Sequence, residues 1–245
     1  MTTYRARAGQ VAYGYPIGML CAEWHIPFIP GDLNNAGTFS FPVRYLSVPG
    51  VSGAGVLNGS GDGFAEALGD AARQLESEGV RAITGNCGFM AAFQDHVASQ
   101  VDIPVFLSSL LQVPMITSML SKQRVLGIIT ANSASLTPEL LASGGLTDPS
   151  RVVIHGLEHA SHFHDVIIKE TGELDDELMH AEVVEGAREL VRQRPEVGAI
   201  LLECSDLPAY TKDVHEATGL PVFDWANYIN YVYRSVVPLR YDGIF

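Results

Sequence analysis

Basic residues are scarce in this chain: 15 Lys and Arg stand against 28 Asp and Glu, a formal net charge of −13 over 245 residues. Without a basic stripe to neutralise phosphates, nucleic acid and anionic membrane surfaces are not expected partners. The acidity does not exclude a small anionic substrate, because backbone N–H groups and helix N-termini can make a site locally positive. Cysteine is rarer still, with three residues, too few for a disulfide framework. Long apolar runs are also missing. None reaches the ~18–20 residues that span a bilayer, and the opening stretch MTTYRARAGQVAYG lacks an apolar signal core. These absences predict a reduced, cytoplasmic protein, and the 47% hydrophobic content allows an ample core.

Cofactor signatures are absent as well. Gly50, Gly53, Gly55, Gly59, Gly61 and Gly63 crowd one segment, but their spacing fails the GxGxxG fingerprint and no P-loop lysine follows. The segment reads equally as a loose surface connection or as a lid that excludes water. His155, His159, His162 and His164, with Glu158 and Asp165, fit no HExxH pattern and would not share one helix face. A solvated helix start is expected there in place of a metal site. Asp175, Asp176, Glu177 and Glu182 are expected to favour a helix N-terminus and stay in water. No lysine sits in a context that would anchor pyridoxal phosphate, so no cofactor is expected.

What the chain does have is a repeat. Val80 to Cys87 reads VRAITGNC and Val197 to Cys204 reads VGAILLEC, with Val, Ala, Ile and Cys in register. Sixteen residues past the cysteines come IPVF (Ile103 to Phe106) and LPVF (Leu220 to Phe223). The first strands also match, Ile17-Gly18-Met19-Leu20 with Leu126-Gly127-Ile128-Ile129. Short apolar runs alternating with helical patterns predict a parallel α/β architecture. Strands are expected near 17–20, 43–48, 80–84 and 105–107, then 125–129, 152–154, 199–202 and 222–223. Helices are expected over 63–78, 90–99, 110–120, 135–142, 159–170, 176–192 and 209–217. The fold class is thus α/β, with two pseudo-symmetric domains, each a four-stranded parallel sheet flanked by helices, and a site in the cleft between them. Residues 1–112 plus 224–245 form the first domain, its C-terminal run packing back as a helix; residues 113–223 form the second.

Each cysteine then falls just past the carboxyl end of its third strand, where open parallel sheets bind ligands. A single cysteine is more often buried and inert. Two in a repeated context at strand ends point to acid–base or nucleophilic chemistry. Cys21 also follows a strand, but its repeat partner is Thr130, and it reads as a packing residue near the site.

The same segments resemble the aspartate/glutamate/hydantoin racemase superfamily, in which two similar α/β domains each contribute one cysteine. Leu202-Glu203-Cys204-Ser205-Asp206-Leu207-Pro208 resembles the second-cysteine motif, and Gly127 to Thr130 the strand and polar turn that open the second domain. The chain departs at the first cysteine, where the racemases place Asn-Thr and this chain has Gly88-Phe89. The stretches 29–43, 83–94, 104–114, 130–138 and 203–224 resemble the branch that contains the algal dimethylsulfoniopropionate lyase.

The resemblance implies a cofactor-independent enzyme that removes a proton next to a carboxylate. Cys204 is expected as the principal base, with Cys87 opposite as acid or second base. Thr84, Asn86, Thr130, Asn132, Ser205, Asp206 and the N–H groups of Gly88 and Phe89 are the candidate donors and substrate contacts. Glu23 and Trp24 are expected to line the pocket. For a sulfonium or ammonium substrate, Trp24, Phe89 or Tyr210 would supply an aromatic face and Glu23 or Asp206 the counter-charge. Racemisation of an acidic amino acid or related acid is the first expectation, and β-elimination from dimethylsulfoniopropionate the second. A two-lobed binding protein is the third, disfavoured because binding needs no paired thiols. A small carboxylate-bearing substrate and further copies of the chain, in a dimer or tetramer, are the expected partners.

Overall fold

Strands that alternate between two buried faces build both halves of the molecule. The computed structural model describes residues 12–57 and 63–241, with residues 3, 6, 8, 10 and 243. In the first half, β1 (Ile17–Glu23), β2 (Val43–Ser52), β3 (Ala82–Gly85) and β4 (Val105–Phe106) form a parallel sheet of order β2-β1-β3-β4. In the second half, β5 (Val125–Thr130), β6 (Val152–Gly156), β7 (Val197–Leu202) and β8 (Val222–Phe223) repeat it as β6-β5-β7-β8. On β7, Ala199 and Leu201 enter a central core that also takes Leu20 and Ile83 of the first sheet; Ile200 and Leu202 face the other way. This two-sided burial is what near-continuous apolar strands in parallel sheets require.

The helices explain where the sequence pattern misleads. α1 (Gly53–Leu57) is a short helix inside the glycine-rich segment, which reads from sequence only as loop or lid. Gly59 and Gly61 of that segment lie outside the described residues. α2 (Phe64–Glu78) runs as expected and ends at Gly79, whose φ of 96° suits a left-handed cap. The helices expected at 90–99 and 110–120 each open as a 3₁₀ turn, Gly88–Phe93 before α3 (Gln94–Ala98) and Ser109–Gln112 before α4 (Val113–Met119). The 135–142 helix starts only at Pro138, giving α5 (Pro138–Ser143): proline lacks an N–H and fits the first turn, and Thr137 caps it through Leu140 N.

The helix expected over 159–170 is α6 (Ser161–Phe163) continued by a π-helical turn, His164–Ile168. The backbone then leaves the helix at Glu170 and Gly172, both at positive φ. The side chains there serve local structure: His164 Nδ1 meets Glu158 O, His162 Nε2 accepts from Asp175 N, and Glu182 caps α6. α7 (Asp176–Gln193) is capped by Asp175, and α8 (Thr211–Thr218) follows a 3₁₀ turn at Leu207–Tyr210. Among the described residues no helix is long and apolar enough to cross a membrane.

α9 (Trp225–Val236) packs against the first sheet, with Trp225 and Ile229 buried among Ile17, Met19 and Phe106. Asp224, 1% exposed, joins it to the second half. Its carboxylate accepts from Asn227 N at 2.7 Å, Asn227 Nδ2 at 2.6 Å and Thr211 Oγ1 at 2.9 Å, while its carbonyl accepts from Gln112 Nε2. Asp224→Ala removes this cap and orphans Thr211, and is expected to cost about 1–2 kcal/mol in a urea melt. An unchanged midpoint would show that the cap carries no stability.

Candidate active site

The equivalent strands β3 and β7 deliver Cys87 and Cys204 to one cavity between the two sheets. Glu203, Ser205, Asp206 and Gly88 complete its polar side. Trp24, Leu57, Phe89, Ala131 and Ile167 make its apolar wall, and among the described residues no Lys, Arg or His borders it. The cavity is narrow, about 10 Å³ open to the centre of a water-sized sphere, room for roughly one water. Leu57 and Phe89 also line an open depression of about 420 Å³.

Two devices are shared by the halves. The backbone N–H two residues on, that of Phe89 for Cys87 and of Asp206 for Cys204, favours the thiolate at each sulfur. Each strand end is also braced by the residue before the cysteine. Asn86 bonds Ala22 N and Ala22 O at the end of β1. Glu203, its counterpart, accepts from Thr130 Oγ1 at the end of β5, at 2.9 Å. The second half is then held against the first by Ser109 Oγ donating to Glu203 O at 2.8 Å and by Leu33 N donating to Ser205 O.

The halves differ in their carboxylates. Cys204 Sγ donates to Asp206 Oδ2 at 3.0 Å. Burial and the adjacent Asp206 and Glu203 push the Cys204 thiol well above its ordinary range; burial, then Glu203, then Asp206 do the same to Cys87. Both thiols are therefore protonated at rest. Asp32, 1% exposed, is also driven far up, by burial first and then by Asp206, so it holds a proton opposite Asp206. Burial, opposed by the Thr130 bond and reinforced by Asp206, raises Glu203 to about 7. Burial likewise puts Cys21 at about 12; its sulfur touches Met19 O and Asn34 Nδ2, away from the cavity lining.

Of the residues singled out from sequence, Cys87, Cys204, Gly88, Phe89, Ser205, Asp206 and Trp24 line the cavity. Thr84 does not: its hydroxyl donates to Phe106 O and accepts from Trp225 Nε1. Asn86 is spent on Ala22, and Thr130 reaches the site only through Glu203. Asn132 caps a turn through Ala134 N, and Glu23 is exposed beside Ser47. Tyr210 turns its hydroxyl to Asp176. Glu203, Asp32, Leu57 and Ile167 went unmarked. Glu203 had a signal, since a carboxylate ends the otherwise apolar strand VGAILL. Ile167 had none, because only the π-helical turn presents it.

Residues 50–228 match the Asp/Glu/Hydantoin racemase family. The chain belongs to that family. A dimethylsulfoniopropionate lyase from Durusdinium sp. clade D is 33% identical over 214 residues, covering 85% of this chain and 70% of that one. Dimethylsulfoniopropionate lyase 7 of Emiliania huxleyi is 34% identical over 220 residues, covering 86% and 64%. The chain thus spans about two thirds of the length of these curated relatives. Among solved structures, unliganded arylmalonate decarboxylase superposes with a TM-score of 0.57 at 15% identity, over 92% of this chain and 93% of that one. Aspartate racemase of Picrophilus torridus gives 0.55 at 15%, over 94% and 96%. These superpositions establish the two-sheet fold of the family.

Proposed function

We propose that this family member is a cofactor-independent carbon–sulfur lyase that takes dimethylsulfoniopropionate to dimethyl sulfide and acrylate. The observation that carries the reading is the composition of the cavity: two thiols, the Glu203 and Asp206 carboxyl groups and, among the described residues, no basic side chain. An acidic amino acid would bring two carboxylates and a net negative charge against these two acids, whereas a sulfonium acid brings a single carboxylate balanced by its own cation. The relatives named as dimethylsulfoniopropionate lyases support the same substrate class.

Cys204 is the base in this reading, because its proton already points at Asp206. Transfer of that proton to Asp206 leaves the thiolate, which takes the proton α to the substrate carboxylate. The C–H electron pair becomes the new double bond, and the C–S pair leaves on sulfur as neutral dimethyl sulfide. The sulfonium charge itself lowers the cost of the thiolate, offsetting the carboxylates that raise both thiols at rest. Only one base is required, so Cys87 serves as a wall of the site, not an obligatory partner. Most side chains around the thiols are buried, and the low polarity there strengthens each of these charge interactions.

The test is incubation with dimethylsulfoniopropionate, with headspace detection of dimethyl sulfide and NMR detection of acrylate in equal amounts. A parallel panel of amino acids in D₂O is expected to show no α-deuterium. Exchange into aspartate or glutamate, without dimethyl sulfide release, would replace this reading by racemisation.

A further inference from the structure

Glu203 is fully buried, and its two oxygens are unequal. Oε2 accepts from Thr130, whereas Oε1 has no hydrogen-bond partner. An unmatched buried carboxylate oxygen is costly unless something is built to meet it. Its position explains the glycine after the first cysteine. A Cβ on Gly88 would lie 1.5 Å from Glu203 Oε1 and 2.5 Å from its carboxyl carbon. Gly88 and Glu203 come from opposite halves, and the absent side chain of one is the space occupied by the other. In the first half the equivalent brace, Asn86, satisfies both its polar atoms on Ala22. Glutamate at the same place is one methylene longer and leaves an oxygen over, inside the cavity.

We propose that Glu203 Oε1 is the counter-charge for a methylated onium head group, and that Gly88 is required to make room for it. The identity of that ligand rests on the lyase reading above; the placement of the charge does not. The surroundings favour an onium over a primary ammonium. A sulfonium or quaternary ammonium offers charge and methyl groups but no N–H, so it needs one anionic oxygen and apolar or aromatic walls. Trp24, Phe89 and Ile167 supply those walls. A primary ammonium has three donors to satisfy and gains nothing from the apolar walls, which make up about half of the lining. This assignment moves the counter-charge expected of Glu23 or Asp206 to Glu203, which lines the same cavity as both thiols.

With Glu203 at about 7, the carboxyl is neutral below that pH and anionic above it. Affinity for a cation should therefore rise as pH rises from 6 to 8. The other groups facing it are the Thr130 hydroxyl on β5, Asp206 and Cys204 beyond β7, and Cys87 from the first half. Both thiols stay protonated across that range, and Asp206 remains in Glu203→Gln, so comparison with that variant isolates the Glu203 contribution.

The experiment is calorimetric titration with 3-(trimethylammonio)propionate and with 4,4-dimethylpentanoate, its carbon analogue in which only the head-group charge is removed. At pH 8 the wild type is expected to prefer the ammonium acid by about 30-fold or more, and Glu203→Gln to lose most of that preference. Should Glu203→Gln fail to fold, the wild-type titration at pH 6 and 8 decides: the preference must grow with pH. Gly88→Ala should also lose it, by displacing the carboxylate. A preference that survives Glu203→Gln, or a wild-type preference independent of pH, overturns the assignment. If dimethyl sulfide is released while the preference survives, this inference fails and the lyase reading stands. If the preference depends on Glu203 but no dimethyl sulfide forms, the lyase reading fails and this inference stands.

Discussion

Cys204→Ser is expected to lower kcat by about 1,000-fold, the middle of the range for a positioned acid–base group. A serine hydroxyl gives up its proton far less readily than a thiol, so the same geometry with Asp206 no longer yields a base. The other carboxyls do not take over as base: Asp32 holds its proton opposite Asp206, and Glu203 is tied to Thr130 through Oε2 and, in the assignment above, to the onium through Oε1. The exchange is small and the site buried, so the thermal midpoint should move by no more than a few degrees. Cys87→Ser is expected to cost much less, since Cys87 has no carboxylate accepting its proton and elimination needs one base. Initial rates of dimethyl sulfide release check both. Full activity in Cys204→Ser would remove the thiol from the mechanism, and equal large losses in both variants would restore a two-base reaction.

Trp225→Ala is expected to be the most damaging single change to stability, about 3–5 kcal/mol. Trp225 is wholly buried where α9 meets β1, β3 and β4, and its Nε1 donates to Thr84 Oγ1 at 3.2 Å. Truncation empties the largest side chain of that core and removes a donor from buried Thr84. For a chain this size the loss corresponds to roughly 10 °C in thermal midpoint. Trp225→Phe keeps most of the packing and drops only the bond, so about 1 kcal/mol is expected. Urea unfolding followed by circular dichroism separates the two. A loss near 1 kcal/mol in Trp225→Ala would mean that α9 is only loosely docked on the first sheet.

The contrast between Thr84 and Glu203 shows how far sequence reading reaches. Both stand near the end of a third strand, in the repeated segment that ends at a cysteine. A threonine at a strand end reads as a donor to substrate, yet Thr84 serves the α9 helix that returns from the far end of the chain. Glu203 reads only as part of a motif, although an acidic residue closing an apolar strand is itself unusual. The difference lies in what packs against each position, and those neighbours are distant in sequence. The 159–170 segment illustrates the same limit for backbone. Its helical pattern is plain, but the π-helical turn that points Ile167 at the thiols follows from its docking in the second core.

By itself the sequence determined the architecture: apolar periodicity and turn chemistry are local, so the two fourfold sheets, their repeat and the placing of a cysteine after each third strand are written in short segments. Its acid excess and few cysteines narrowed the chemistry before any contact was known. Only the tertiary structure decided what each cysteine can do. Asp206 on Cys204, Asp32 opposite Asp206, and Glu203 filling the space above Gly88 depend on how two halves dock, and docking is set by side-chain shape across a long loop of chain. Gly88 is the clearest case, a departure from the family pattern in sequence and a fitted space for a carboxylate in three dimensions.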